Sequence, residues 1–202
     1  MRVLLIIACA LSFTAPAIAK QSLEITPMMG YRFGGDFDAS QDKIHHQISL
    51  TDDTSYGLLT AWSFDRERQG EFLISHYDTN FFEPNSSSIS ATGLGISYAH
   101  IGGNIRVSDS FLPVFVTGGF GLSYFAPEDK TLNDETRFSM NVGLATRFDL
   151  SEHISLRIDS RIYSTFFNSD SRIFCEIDSC AIYISNDMWF QSEVNAGITF
   201  SF

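Results

Sequence analysis

Phe190-Gln-Ser-Glu-Val-Asn-Ala-Gly-Ile-Thr-Phe-Ser-Phe202 alternates large apolar with small or polar residues up to an aromatic at the last position. Phe190, Val194, Ala196, Ile198, Phe200 and Phe202 share one side of a period-2 strand, and Gln191, Glu193, Asn195, Thr199 and Ser201 share the other. A soluble strand can alternate in the same way. The terminal aromatic gains meaning from the other end of the chain, which reads as an export segment.

Met1 and Arg2 form a short positive region, residues 3–13 an apolar stretch, and Ala17-Ile18-Ala19 a small-x-small cleavage site. Residues 1–19 are therefore expected to be a cleaved signal peptide and 20–202 a single domain, with Lys20 or Gln21 as the new N-terminus. Lipidation of Cys9, after Ile7-Ala8, is the competing reading, but it would leave an apolar core of only about six residues, shorter than a signal requires. Loss of Arg2 with the signal takes the formal charge from -11 to -12. So acidic a chain is a poor partner for nucleic acid.

About 180 residues is one ordinary domain. No later stretch reaches the ~18 consecutive apolar residues of a membrane helix, so a membrane crossing would have to be made by strands. In hydrocarbon every backbone polar group needs an internal partner, which leaves the closed barrel as the all-β solution. With 14 Gly, 19 Phe and 7 Tyr but only 18% charged residues, the composition suits twisted strands and aromatic belts.

Eight strands are expected, at 23–33, 55–65, 71–80, 91–107, 112–125, 137–150, 154–166 and 190–202. The clearest is the sixth, where Phe138, Met140, Val142, Leu144, Thr146, Phe148 and Leu150 alternate with Arg137, Ser139, Asn141, Gly143, Ala145, Arg147 and Asp149. The third is ambiguous, because Phe72 and Ile74 compete with Leu73 and Tyr77 for the apolar face. In the fourth, Leu94, Ile96 and Tyr98 align, and Gly102-Gly103 reads as a bulge or bend. Connections at 66–70, 108–111 and 151–153 are short, whereas those at 34–54, 81–90, 126–136 and 167–187 are long. Strict alternation of short and long is the pattern of an eight-stranded antiparallel up-and-down transmembrane β-barrel, with tight turns at the periplasmic end and long loops outside. The apolar face then meets lipid and the charged face the lumen. Leu144→Arg, on the lipid face, is expected to cost more than Gly143→Ala on the lumen face.

Val116-Thr-Gly-Gly-Phe-Gly-Leu-Ser-Tyr-Phe-Ala-Pro127, Tyr98-Ala-His-Ile-Gly-Gly103 and Asn195-Ala-Gly-Ile-Thr-Phe-Ser-Phe202 resemble the small porin-like outer-membrane β-barrel proteins of Gram-negative bacteria, the OmpA/OmpX-type superfamily. The resemblance spans the whole exported part of the chain and rests on glycines and aromatics, so it speaks to fold and location rather than activity. It implies insertion by the outer-membrane assembly machinery, which reads the terminal strand with Phe200 and Phe202, and it carries over no catalytic residue and no cofactor.

The residues themselves offer several candidates. Cys175 and Cys180 lie in the last long loop of an exported chain, where a hairpin of 172–175 against 180–183 would join them as a disulfide worth about 2 kcal/mol. His45 and His46, near Asp36, Asp38 and Asp42, read as solvated loop residues, with a metal site as the alternative. His153 and Ser155 have the residue types of a lipid A-modifying pair, but a turn on the periplasmic side is the wrong place for it, and strand-turn residues are the expected reading. Glu24, Arg32, Arg137, Arg147, Asp149, Arg157, Asp159, Arg161 and Glu193 fall on the lumen face. At eight strands an interior has room for side chains, so these charges are expected to pair and fill it, the alternative being a narrow channel or small-solute site. The long loops are strongly acidic, which fits solvation or divalent cations bridging to lipopolysaccharide phosphates. The expected protein is thus a non-enzymatic envelope component in contact with outer-membrane lipids and lipopolysaccharide.

Overall fold

The computed structural model describes residues 22–35, 37–41, 44–48, 50–82, 91–108, 112–129, 132–167, 172–175, 180–183 and 188–202. Twelve strands follow one another: β1 (Leu23–Phe33), β2 (Phe37–Gln41), β3 (Ile44–Ile48), β4 (Asp53–Ser63), β5 (Arg68–Phe82), β6 (Ala91–Ser108), β7 (Val114–Pro127), β8 (Glu135–Asp149), β9 (Ile154–Phe166), β10 (Arg172–Cys175), β11 (Cys180–Tyr183) and β12 (Met188–Ser201). Eight of them close a barrel in the order β1-β12-β9-β8-β7-β6-β5-β4, so each strand pairs antiparallel with its chain neighbour and β12 returns to β1. Closure leaves no edge with unpaired backbone groups, as a lipid-facing sheet demands. The remaining four form two hairpins, β2 with β3 and β10 with β11, within the first and last long connections.

All eight expected barrel strands are present. The third and sixth begin earlier than alternation suggests, and the seven-residue link 128–134 is correspondingly shorter than expected. At 64–67 the turn is fastened by Asp65, whose Oδ1 accepts from the backbone N–H groups of Glu67 (2.9 Å) and Arg68 (2.8 Å). The Arg68 guanidinium, which donates to Asp65 Oδ2 at 2.7 Å, and then those backbone bonds hold the Asp65 carboxyl below the ordinary range. Gly102-Gly103 is not a bulge: the register runs through it unbroken and slips instead between Arg106 and Ser108. Gly102 is needed for close approach, since a Cβ there would meet the Gly118 carbonyl and lie 2.5 Å from the Gly119 Cα.

Outward-facing side chains form the apolar wall. Tyr31, Tyr56, Phe120, Leu122, Phe138, Val142, Leu144, Ile162, Phe190, Phe200 and Phe202 are all exposed, as the alternation requires of a lipid face. The third strand, β5, resolves in favour of Phe72 and Ile74 outside and Glu71, Leu73, Ser75 and Tyr77 inside. In β6 the expected apolar set is inverted. Leu94, Ile96 and Tyr98 are fully buried in the interior, and Gly95, Ser97 and Ala99 face outward.

The interior is layered along the axis. At the long-loop end Leu94, Phe125, Phe167 and Trp189 pack together, with Phe125 and Trp189 ring centroids 5.5 Å apart. Reading down β9 toward the short turns, Phe167 gives way to Tyr163, then Arg161, Asp159 and Arg157, all buried. An apolar cap therefore sits above a tyrosine layer, and charges lie below both.

Candidate functional site: the charged interior

The lumen charges sort into four groups rather than one network. In the middle, Arg157 and Arg161 on β9 reach across the barrel to Glu71 on β5, at 2.9 and 3.0 Å, and both also contact Asp159, at 2.9 and 2.7 Å. β5 and β9 are separated by three strands on one side and three on the other, so these bonds cross the lumen. Two guanidinium groups face two carboxylates, and Asn104 and Asn141 donate to or accept from the same set at 2.7 and 3.0 Å. Balanced charge with further hydrogen bonds is what makes burial of ions tolerable.

Nearer the long-loop end, Arg32 pairs with Glu193 at 2.9 Å, both side chains fully buried. The Arg32 guanidinium carbon lies 4.7 to 4.9 Å from the ring centres of Tyr77, Tyr98 and Tyr163. Its Nε and Nη1 lack hydrogen-bond acceptors, and the three ring faces stand in their place. Tyr163 donates to Glu193 Oε2 at 2.6 Å, which leaves the carboxylate bonded at both oxygens. Toward the short turns, Arg147 contacts Glu24 at 2.9 Å and Asp149 at 3.1 Å, with Asp149 largely exposed. A cleft of about 350 Å³ opens there, lined by Glu24, Arg66, Arg106, Phe115 and Arg147 among others. Arg137, at the opposite end, pairs with Glu135 at 3.1 Å and takes no part in the central cluster.

Of the expected lumen residues, Asp149 lies exposed at the short-turn end, and the others have buried or half-buried side chains. Arg32 and Glu193 bridge the neighbouring strands β1 and β12, whereas the central cluster spans the lumen or stays within β9. Glu71, on which it turns, was missed because the phase of its strand was open. His100 was also missed. It is buried, its Nε2 is 2.7 Å from Ser139 Oγ and its Nδ1 2.7 Å from Asn141, so it extends the polar layer toward β8.

His153 lies in the exposed turn before β9, whereas Ser155 is buried in the lumen, so the two do not form a pair. The backbone register places Cys175 opposite Cys180, with Arg172 opposite Tyr183. Residues 1–21, with Cys9, lie outside the described residues, as do Asp36, Asp42, Glu83, Asp170, Glu176, Asp178 and Asp187. His45 and His46 fall in β3, opposite Ser40 and Ala39.

A second polar group, on the outer wall, had no counterpart in the sequence reading. Ser97 Oγ is 2.8 Å from His76 Nδ1, and His76 Nε2 is 3.3 Å from Asp78 Oδ1.

A closed antiparallel barrel of eight strands, apolar outside and filled with paired charges and tyrosines inside, defines a transmembrane β-barrel of the bacterial outer-membrane type. Residues 5–202 match the model of one family, and the chain belongs to it: the outer membrane protein beta-barrel domain family. Its fold is similar to that of Neisserial surface protein A, at 9% identity and a TM-score of 0.56 over 90% of this chain and 97% of that one. OprG from Pseudomonas aeruginosa is similar at 11% identity and a TM-score of 0.56, covering 90% and 95% of the two chains. The outer membrane protein AlkL, solved by solid-state NMR in DMPC bilayers, gives 16% identity and a TM-score of 0.52 over 90% of each chain. At these identities the likeness is one of fold. No curated protein sequence matches the chain.

Proposed function

We propose that the protein is a closed outer-membrane barrel that contributes to envelope structure or surface interaction through its wall and its acidic outer loops, with no reaction or passage in its lumen. The carrying observation is the contact of Arg157 and Arg161 with Glu71 across the barrel. An eight-stranded interior is just wide enough for side chains. Ion pairs that cross it, under a three-tyrosine layer and an apolar cap, leave no continuous aqueous path. The channel reading draws on the cleft at the periplasmic mouth, which is lined by Phe115, over whose ring Arg106 and Arg147 stack at 5.4 and 5.9 Å.

On this reading the signal at 1–19 is cleaved, the assembly machinery recognises the strand ending in Phe200 and Phe202, and the loop acids meet lipopolysaccharide through divalent cations. Planar-bilayer recording tests the lumen directly. The refolded protein should show no sustained porin-like conductance, and stable ion-selective openings would reject the closed-lumen reading.

A further inference from the structure

We propose that Ser97, His76 and Asp78 form an acyl-transfer site on the outer wall of the barrel, which hydrolyses an acyl ester of an outer-leaflet lipid. This site is independent of the closed lumen, because none of the three side chains faces inward. His76 on β5 and Ser97 on β6 are register partners, and Asp78 is two residues along β5 on the same face. Ser97 Oγ and His76 Nδ1 are hydrogen-bonded at 2.8 Å, and His76 Nε2 lies 3.3 Å from Asp78 Oδ1 in an ion-pair contact. A hydroxyl, an imidazole and a carboxylate in contact in that order are the elements of an activated nucleophile, whichever ring nitrogen faces the hydroxyl.

Depth selects the substrate. The row Tyr56, His76, Ser97, Tyr124 runs across four adjacent strands, and all four residues point outward. Outward tyrosines mark the boundary between hydrocarbon and headgroups. Below the row the wall is apolar at Ile74 and Ile101, both about half exposed; above it come Asp78, Asn80, Gly95 and Gly93. Acyl chains lying along Ile74 and Ile101 would bring their ester groups to the level of Ser97, since ester groups sit where chain meets headgroup. Gly95 keeps the approach open. Even its missing Cβ would lie 3.4 Å from both Asp78 Oδ1 and His76 Cε1. The His76 and Asp78 side chains are 47% and 85% exposed, free for a lipid to reach.

In the reaction Ser97 Oγ bonds to the ester carbonyl carbon as its proton passes to His76 Nδ1, and Asp78 holds the resulting imidazolium. The tetrahedral intermediate expels the lipid alcohol, which takes that proton as the carbon–oxygen bond breaks. Water then attacks the acyl-Ser97 ester, its proton moves through His76 to the departing Ser97 oxygen, and a fatty acid leaves. Nothing is oxidised or reduced. The ladders on both edges of β6 occupy the backbone N–H groups around Ser97. Interfacial water must therefore serve the oxyanion, and the absence of a built oxyanion donor costs about 10²- to 10³-fold in rate. The enzyme is expected to be slow.

The test uses the whole exported protein refolded into two sets of vesicles, one of phosphatidylethanolamine alone and one that also contains lipid A, with released fatty acid followed by mass spectrometry. Release from the first set identifies a glycerophospholipid ester, and release confined to the second identifies lipid A. A fluorophosphonate probe, with peptide mapping, should label Ser97. Ser97→Ala and His76→Asn should reduce release to background, and Asp78→Asn should lower it by up to about 10⁴-fold, the loss seen when the orienting acid of a triad becomes an amide. Each variant is first shown to be folded by its heat-modifiable gel mobility. If the wild-type protein releases no fatty acid from either set, or folded Ser97→Ala releases it at the wild-type rate, the site is only a polar rim that meets lipid headgroups.

Discussion

Glu71 answers two arginines from the far wall, so its loss should be felt more than that of any rim charge. With Glu71→Ala, Arg157 and Arg161 are left to share Asp159, and an uncompensated buried charge costs about 3 to 5 kcal/mol. Urea titration in lipid should also show that Glu71→Ala combined with Arg157→Ala is less damaging than the sum of the two single changes, because the pair is coupled. Strict additivity would mean that these groups do not act as a unit. On β8 the expected gap between neighbours narrows. Leu144→Arg puts a charge in lipid, at about 2 to 4 kcal/mol. Gly143→Ala is not neutral either, for its Cβ would meet the Ser160 carbonyl and lie 2.8 Å from Arg161 Cγ. Overpacking of that kind costs about 1 to 3 kcal/mol, so refolding titrations should find both variants destabilised, and a neutral Gly143→Ala would show that Arg161 has slack.

Among the elements, the β10–β11 hairpin carries the most direct test. Cys175 and Cys180 are register partners, and partners of an antiparallel pair are spaced as a disulfide requires. Non-reducing peptide maps of exported protein should recover Cys175 linked to Cys180 and an N-terminus at Lys20 or Gln21; two free thiols or a lipid on Cys9 would overturn those readings. This hairpin could be read from sequence because its two arms mirror each other around the cysteines. The β2–β3 hairpin could not, since Asp38-Ala39-Ser40-Gln41 has no apolar alternation to mark a strand. Alternation works where one side of a strand meets lipid and the other meets polar side chains. It fails in the outer part of β5 and β6, because there the interior is apolar and the exterior polar. That reversal explains why Leu94, Ile96 and Tyr98 were assigned to the wrong face, and why Glu71 and His76 went unnoticed on a strand whose run Phe72-Leu73-Ile74 is greasy on both sides.

For the whole molecule, burial of the ion pairs sets the response to salt. Exposed pairs fade as the Debye length falls from about 10 Å at ~0.1 M to about 3 Å at ~1 M, whereas buried ones are screened far less. The unfolding midpoint should therefore stay nearly constant across that range. A marked drop would show that salt reaches the interior, and with it a water path that the closed reading excludes.

The seam of the barrel is where the first strand meets the last, and Arg32 and Glu193 are partners across it. Their pairing carries information that the wall cannot supply. Sliding β12 by two residues would keep every outward side chain outward and most backbone bonds intact, yet it would set Arg32 opposite Gln191 or Asn195 and strand two charges in a dry layer. The ion pair therefore acts as a registration mark that tells a correctly sealed molecule from a near miss. Exchanging the two residues, Arg32→Glu with Glu193→Arg, should restore some of the closure efficiency that either change alone removes, whereas a pair that merely fills space would show no such rescue.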